Sequence, residues 1–282
     1  MNDLWRAIEG ANLLLFADDT AIVKSHLDEG ALVECLVGWQ SRLSEWFCAN
    51  DLSLNLNKTS EIYFTHRNTE IHKNHVCVKY LGVTLDSVLN WEGHVDTQTG
   101  KIAKNIYLLR QLAKILPISA VLTAYFSLIE SHLRYALLAW GHSPHAKRLF
   151  ALQRRAIRVV AHKGYREDVK ASFVALGILT LPCLYIYHCL ILAKQNDNSH
   201  VLHSDIHDYE TRSSHSICLD FHRLASSRYS GNYYSQKFIN RLPRFITTLP
   251  LKEFKTRVRS WLILRSYYSL HEFVTDPELL KM

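Results

Sequence analysis

The chain has 282 residues, 48% of them apolar, six cysteines and a formal net charge of +7. That length and apolar content suit one large domain or two to three small ones with packed cores, and exclude a wholly disordered chain. The cysteines form no C-x-x-C pair and no regular framework, and "MNDLWRAIEGAN" at the start lacks the apolar stretch of a signal peptide, so a nuclear or cytoplasmic protein is expected. Charge is unevenly divided. Residues 1–100 carry seven Lys/Arg against fourteen Asp/Glu, whereas residues 101–282 carry twenty-six against twelve. The basic remainder points to a polyanionic partner, with nucleic acid the first candidate; a membrane surface or plain solubility gives the same sum.

In chain order, Leu13 to Phe16 and Ala21 to Val23 are apolar runs separated by A-D-D-T, which predicts a β-hairpin with Asp18 and Asp19 at its tip. Leu32, Val33, Leu36, Val37, Leu43, Trp46 and Phe47 then recur at three- and four-residue spacing, predicting an amphipathic helix. Asp28 and Glu29 suit its N-terminus and Asn50 its stop. Leu52, Leu54 and Leu56 alternate, a strand is expected from about Glu61 to Thr65, and "VCVKYLGVTLD" reads as a further strand pair bent at Gly82. Strand, helix, strand and strand on one sheet make an α/β unit of about ninety residues.

After Trp91 the pattern is helical, with helices expected over 94–115, 118–139 and 147–162, interrupted by Pro117 and by "WGHSPH". "LGILTLPCLYIYHCLILA" (176–193) is apolar throughout, but Pro182 splits it and the remaining dozen residues fall short of the ~20 that span a bilayer. A buried helix is expected there, not a membrane span. Residues 195–216 are polar and read as a long loop. A final amphipathic helix carries Phe254, Val258, Trp261 and Leu262 on one face.

The Asp pair has two readings. Aspartate is common in solvated turns, but two-metal nucleotidyl transfer also needs carboxylates held on rigid strands. The surrounding order decides between them. F-A-D-D-T-A, a helix, "LNLNKTS" and "YLGV", followed by "AYFSLIESHLRYALLAWG", "LQRRAIRVVA", "LGILTLPCLYIY", "HDYETR" and "FINRLP", resembles the reverse transcriptases of non-LTR retrotransposons of the jockey-like class over essentially the whole chain. The resemblance implies an α+β fold: a partial palm over 1–92, a helical thumb over 93–165, and a basic, mainly helical C-terminal region over 166–282. It implies RNA-directed DNA synthesis with Mg²⁺, Asp18 as the motif-C metal ligand and Asp19 as the secondary carboxylate. Lys58 would lie near the incoming nucleotide's phosphates, and Tyr80, Leu81, Gly82 and Val83 would form the primer grip. An ordinary surface lysine and a core tyrosine are the competing readings of Lys58 and Tyr80.

One departure matters. The family carries another catalytic aspartate, the fingers and motif B upstream of the F-A-D-D hairpin, whereas here seventeen residues precede Asp18, and Asp3 and Glu9 among them lack motif-A character. Asp28 and Glu61 lie in the wrong elements to replace the missing carboxylate. The resemblance therefore implies an N-terminally truncated reverse transcriptase that does not polymerise alone, since the missing carboxylate removes much of the charge that holds the cations. The alternatives are a nucleic-acid-binding or interaction protein built on the thumb and C-terminal region, and a genomic remnant without function.

On the helix at 147–162, Lys147, Arg148, Arg154, Arg155 and Arg158 share a face opposite Leu149, Leu152 and Ala156. That face suits an RNA template and RNA–DNA duplex; a merely solvated charged face is the alternative. "SRYSGNYYSQKFINRLPRF" mixes Tyr229, Tyr233, Tyr234 and Phe238 with Arg228, Lys237, Arg241 and Arg244. It suits single-stranded nucleic acid or, the favoured reading, a small core. His203, His207, His215 and Cys218, and His72, His75 and Cys77, lack the tight spacing of structural zinc sites, so no zinc is expected. A palm sheet without its partner strand exposes an edge, which predicts self-association.

Overall fold

The structure, a computed structural model, describes residues 3–8, 10–55, 57–64, 77–196, 201–206, 214–219 and 230–281. It is an α+β chain, mostly helical with short antiparallel strands, and it divides into two compact units, Met1–Gly82 and Val83–Met282.

In the first unit, β1 (Asn12–Phe16) pairs antiparallel with β2 (Asp19–Val23), from Asn12 opposite Val23 to Phe16 opposite Asp19. Cross-strand partners share a face, so Leu13 and Ile22 point one way while Leu14, Phe16 and Val23 point the other. Leu13 and Ile22 pack on a small core of Leu4, Ile8, Trp39 and Leu43. The last two come from α1 (Glu29–Ala49), which begins where the Asp28 carboxylate accepts the Ala31 N–H at 2.8 Å. Asn50 ends it, donating its side-chain amide to the Trp46 carbonyl. Of the apolar positions predicted for this helix, Leu36, Trp46 and Phe47 are half-buried, whereas Val33 and Val37 are exposed.

The single sheet expected for the first ninety residues is not formed among the described residues. β1–β2 and β3–β4, the latter made of Cys77–Tyr80 and Val83–Asp86, are separate two-stranded sheets. Residues 52–55 and 61–64 form no strand, and Leu56 and Thr65 lie outside the described residues. Leu52 and Leu54 are exposed, and alternation alone makes no strand where, among the described residues, no neighbour takes the backbone hydrogen bonds.

The second unit is a helical assembly around one continuous core that runs from Trp91 to Leu279. Its helices are α2 (Glu92–Leu112), α3 (Ile118–Tyr125), α4 (Ser131–Arg134), α5 (Leu137–Trp140) and α6 (Ala146–Val160). They are followed by α7 (Lys170–Leu176), α8 (Leu181–Gln195), α9 (Gly231–Ile239), α10 (Arg244–Thr247), α11 (Leu251–Arg265) and α12 (Leu270–Thr275). The expected thumb helices and the helices after residue 166 therefore share one set of buried side chains. α2 buries Val95, Ile102, Ile106 and Leu109 at helical spacing against α6, and α8 packs on α9 and α11.

The helix expected over 118–139 differs in two ways. A π-helical turn, Phe126–Glu130, joins α3 to α4, and the rod stops at Tyr135 and Ala136, where Ala136 takes φ 50°. The Tyr135 carbonyl accepts the indole N–H of fully buried Trp140 at 3.0 Å in place of a helical N–H. The break seats that tryptophan in the core. Gly141 follows because α5 lies so close to α8 that a β-carbon there would come within 2.8 Å of the Leu137 carbonyl and still nearer the Tyr185 ring.

Thr180 starts α8 by accepting the Cys183 N–H, Pro182 stands in its first turn, and the helix is buried from Leu181 to Ala193. Among the described residues no single helix is long and apolar enough to cross a membrane; the apolar pair α7 and α8 is bent by 52° at its break. Within 195–216, the described ends are drawn together by a bridge between Leu202 and Ile217, and Asn240 holds both backbone groups of Ile217 at 2.8 Å. His72, His75, Arg228, Tyr229 and the whole "HDYETR" segment, His207 included, lie outside the described residues, as does Glu9.

Candidate metal-ligand hairpin and nucleic-acid interface

The two-residue turn of β1–β2 consists of Ala17 and Asp18. Ala17 has φ 53° and Asp18 does not share the positive sign, the pattern of a type II′ turn, which matches the twist of the flanking strands. Glycine is the usual residue at that first position, and alanine there stores about 1 kcal/mol of backbone strain. Asp18 thus stands at the very tip, while Asp19 is the first residue of β2, on the same face as Phe16 and turned away from the small core. Both carboxylates are exposed and neither makes a hydrogen bond or ion pair with a described residue.

Other acids of this unit have structural employment. Asp28 caps α1, and Glu61 accepts hydrogen bonds from Gln40 at 2.6 Å and from the Tyr63 hydroxyl at 3.2 Å. Among the described residues no three His, Cys, Asp or Glu side chains come together as a metal cluster. Lys58 is exposed in a turn closed by Asn55, whose carbonyl accepts the Lys58 and Thr59 N–H groups, and it lies in no ion pair with Asp18 or Asp19.

The second hairpin turns on Leu81 and Gly82, with φ 45° and 78°, the two positive values of a type I′ turn. Leucine is unusual there, because its side chain crowds the backbone in this conformation. Tyr80 and Val83 flank the turn; Val83 packs on the large core and Tyr80 is half-buried.

On α6 the five predicted cations do stand opposite the buried side, which carries Leu149, Phe150, Gln153, Ala156, Ile157 and Val160. Helical spacing lines up Lys147, Arg154 and Arg158 as one ridge about 16 Å long, with Arg148 and Arg155 beside it. Their environments differ. Arg148 pairs with Asp96 of α2 at 2.6 Å, Arg154 lies over the rings of Phe150 and Tyr268, and Arg158 donates its Nε–H to the Glu167 carbonyl at 2.9 Å. Lys147 and Arg155 are exposed, without a partner among the described residues. The helix is anchored from beneath by fully buried Gln153, which donates to the Tyr125 hydroxyl and the Leu179 carbonyl and accepts the Leu181 N–H.

In the aromatic tract, Phe238 is fully buried, and Tyr234 packs on Tyr185, Phe238 and His142. Lys237 lies over the Tyr233 ring. Phe238 and Tyr234 belong to the core, and Tyr233 is half-buried beside them. Two groups carry structural weight that the sequence motifs do not signal. Asp86, nearly buried, accepts three backbone N–H groups, and Glu130, buried on the π turn, has its carboxyl pushed up by burial, with Arg134 and Arg259 opposing. The only local hint is an Asp ahead of the turn-like "SVLN". Comparisons of the chain with protein-family models, with curated proteins and with solved structures find no match.

Proposed function

We propose that the chain carries the motif-C hairpin, thumb and following region of a non-LTR reverse transcriptase, and that as this polypeptide it binds RNA and RNA–DNA duplex without extending a primer. The observation that carries the reading is the β1–β2 hairpin, which presents two adjacent, unpaired carboxylates on a tight turn and is followed by a helix packed beneath it. Mg²⁺, when bound at such a centre, supplies charge stabilisation for nucleotidyl transfer. The donor set falls short of that requirement. Two carboxylates from one hairpin are half of a two-metal site, and among the described residues no further ligand joins them. Asp18 and Asp19 are therefore metal ligands by kinship, and the retained activity is binding through the cationic face of α6.

Two measurements on the full chain test this. Primer extension on an RNA template with Mg²⁺ is expected to give no incorporation above background; robust incorporation abolished by Asp18→Ala would overturn the inactivity. Binding of an RNA–DNA duplex is expected to weaken steeply with salt. The double variant Lys147→Ala/Arg155→Ala should reduce the log–log salt slope by about 2, the equivalent of two phosphate contacts. Binding insensitive to ionic strength, or no binding, would remove the reading.

A further inference from the structure

α2 and α6 run side by side in the same direction: Asp96 near the start of one pairs with Arg148 near the start of the other, and their C-terminal ends line a common cleft. The cleft has a volume of about 230 Å³ and is lined by Arg110, Lys114, Arg158, His162 and Lys163 with Ala113 and Val159. No carboxylate lines it. The plain explanation is that the cations neutralise the two helix C-termini, each equivalent to roughly half a negative charge. Four full positive charges against about one leave a surplus of about three, so neutralisation does not account for them.

The loop leaving α6 is built around the same cations. Arg158 donates to the Glu167 carbonyl, Lys163 donates to the Asp168 carbonyl at 3.0 Å, and the Glu167 carboxylate is turned back to accept the Gly164 N–H at 2.6 Å. Glu167 N–H in turn reaches the Gly164 carbonyl, closing a tight turn with Tyr165 and Arg166 at its tip. Arg158 and Lys163 each spend one donor on this arrangement; the guanidinium keeps four N–H groups and the ammonium two. Arg110 has no partner among the described residues, and Lys114 reaches only the Gln111 side chain. Tyr165 is 80% exposed, two residues and therefore within about 7 Å of backbone from Lys163. A ring held out by a braced turn beside a cationic cleft has no packing role.

We propose that this cleft holds a phosphate of a single-stranded nucleic acid, and that the neighbouring base stacks on Tyr165. The inference rests on the reading of α6 as a nucleic-acid face and extends it from duplex to unpaired strand. A single strand is favoured because base faces are open to an aromatic ring only where they are not already stacked in a duplex.

The test uses the full chain and fluorescence anisotropy with a short oligouridine and with a blunt RNA–DNA duplex. Tyr165→Ala is expected to weaken oligouridine binding about tenfold and to leave duplex binding unchanged. Arg110→Ala/Lys114→Ala is expected to lower the single-strand salt slope by about 0.7, one phosphate's share. If duplex binding is intact and responds to Lys147→Ala/Arg155→Ala, but oligouridine binding ignores Tyr165 and the cleft cations, this inference fails and the α6 reading stands. If neither nucleic acid binds, both fail. Because Ile115, 82% exposed, follows Lys114, vesicles containing phosphatidylserine are included. Vesicle binding lost in Tyr165→Ala, without oligouridine binding, would overturn the proposal in favour of a lipid surface.

Discussion

Asp86 braces the turn that leads into α2. Its carboxylate accepts the N–H groups of Val88 at 3.2 Å, Asn90 at 3.0 Å and Trp91 at 2.9 Å. These bonds hold a bend in which Leu89 and Trp91 take φ values of 54° and 69°, a conformation that side-chain-bearing residues avoid without compensation. Ser143 reinforces the bend by donating to the Asn90 carbonyl at 2.8 Å, and Trp91 is thereby buried at the head of α2. Asp86→Ala leaves the buried Trp91 N–H without its acceptor, whereas the N–H groups of the exposed Val88 and Asn90 turn to water, so a loss of about 2 kcal/mol in urea-unfolding free energy is expected. A change below about 0.5 kcal/mol would mean that the bend is held by the packing of Trp91 alone. This role was not legible in the sequence, where Asp86 is one aspartate at the end of an apolar strand.

At the scale of elements, β1–β2 is an exposed ladder with an apolar outer face. Phe16 is 63% exposed and Leu14 53%, and among the described residues each strand of the two-stranded sheet has a free edge. Exposed apolar strand edges pair with other chains. The full chain is therefore expected to self-associate at micromolar concentration in size-exclusion chromatography with light scattering. Leu14→Ser/Phe16→Ser should shift it toward monomer, and a wild-type monomer under those conditions would contradict the expectation. The hairpin itself was legible, because two short apolar runs separated by A-D-D-T are local information. The strand expected near residue 61 and the uninterrupted helix to residue 139 were not, because one has no pairing neighbour among the described residues and the other yields its Tyr135 carbonyl to an indole.

At the scale of the whole molecule, the large core buries His94 and half-buries His142 and His188. His94, His142 and His188 all have lowered pKa values, with burial the first cause; His142 falls to about 4, and Lys101 and Arg134 add repulsion at His94 and His188. The His94 Nδ1 also accepts the Thr84 N–H, a bond available only to the neutral ring. A depressed histidine is neutral in the folded state and charged in the unfolded state between the two pKa values. Its contribution is thus intact above the unfolded value near 6.5 and is lost as pH falls toward the folded one. Glu130 works the other way: its raised pKa means that protonation at acid pH relieves a buried charge. His132 is also lowered by burial, and Asp276, a carboxyl that burial pushes up, is held below its ordinary value by the Tyr267 hydroxyl and Arg265. Both act in the same direction as these histidines, so the net is a decline, each proton contributing a slope of up to about 1.4 kcal/mol per pH unit. The expected outcome is a Tm that falls from pH 7 to pH 4.5, with a shallower fall in His142→Phe. A flat profile would show that these rings gain no protons on unfolding.

The sequence by itself determined the hairpin that carries Asp18 and Asp19, the caps of α1 at Asp28 and Asn50, and the cationic stripe of α6, since each depends on neighbours within about one helical turn or one hairpin. Tertiary structure alone decided which of those cations are free. Arg148 is taken by an aspartate 52 positions earlier, Arg154 by a ring 114 positions later, and Arg158 by a carbonyl of the next loop. It also brought Arg110 and Lys114 to the end of α6, because two parallel helices place their C-termini together only once their apolar faces have packed. Periodicity records which face of an element is buried, and the identity of the group on the other side is set by the fold.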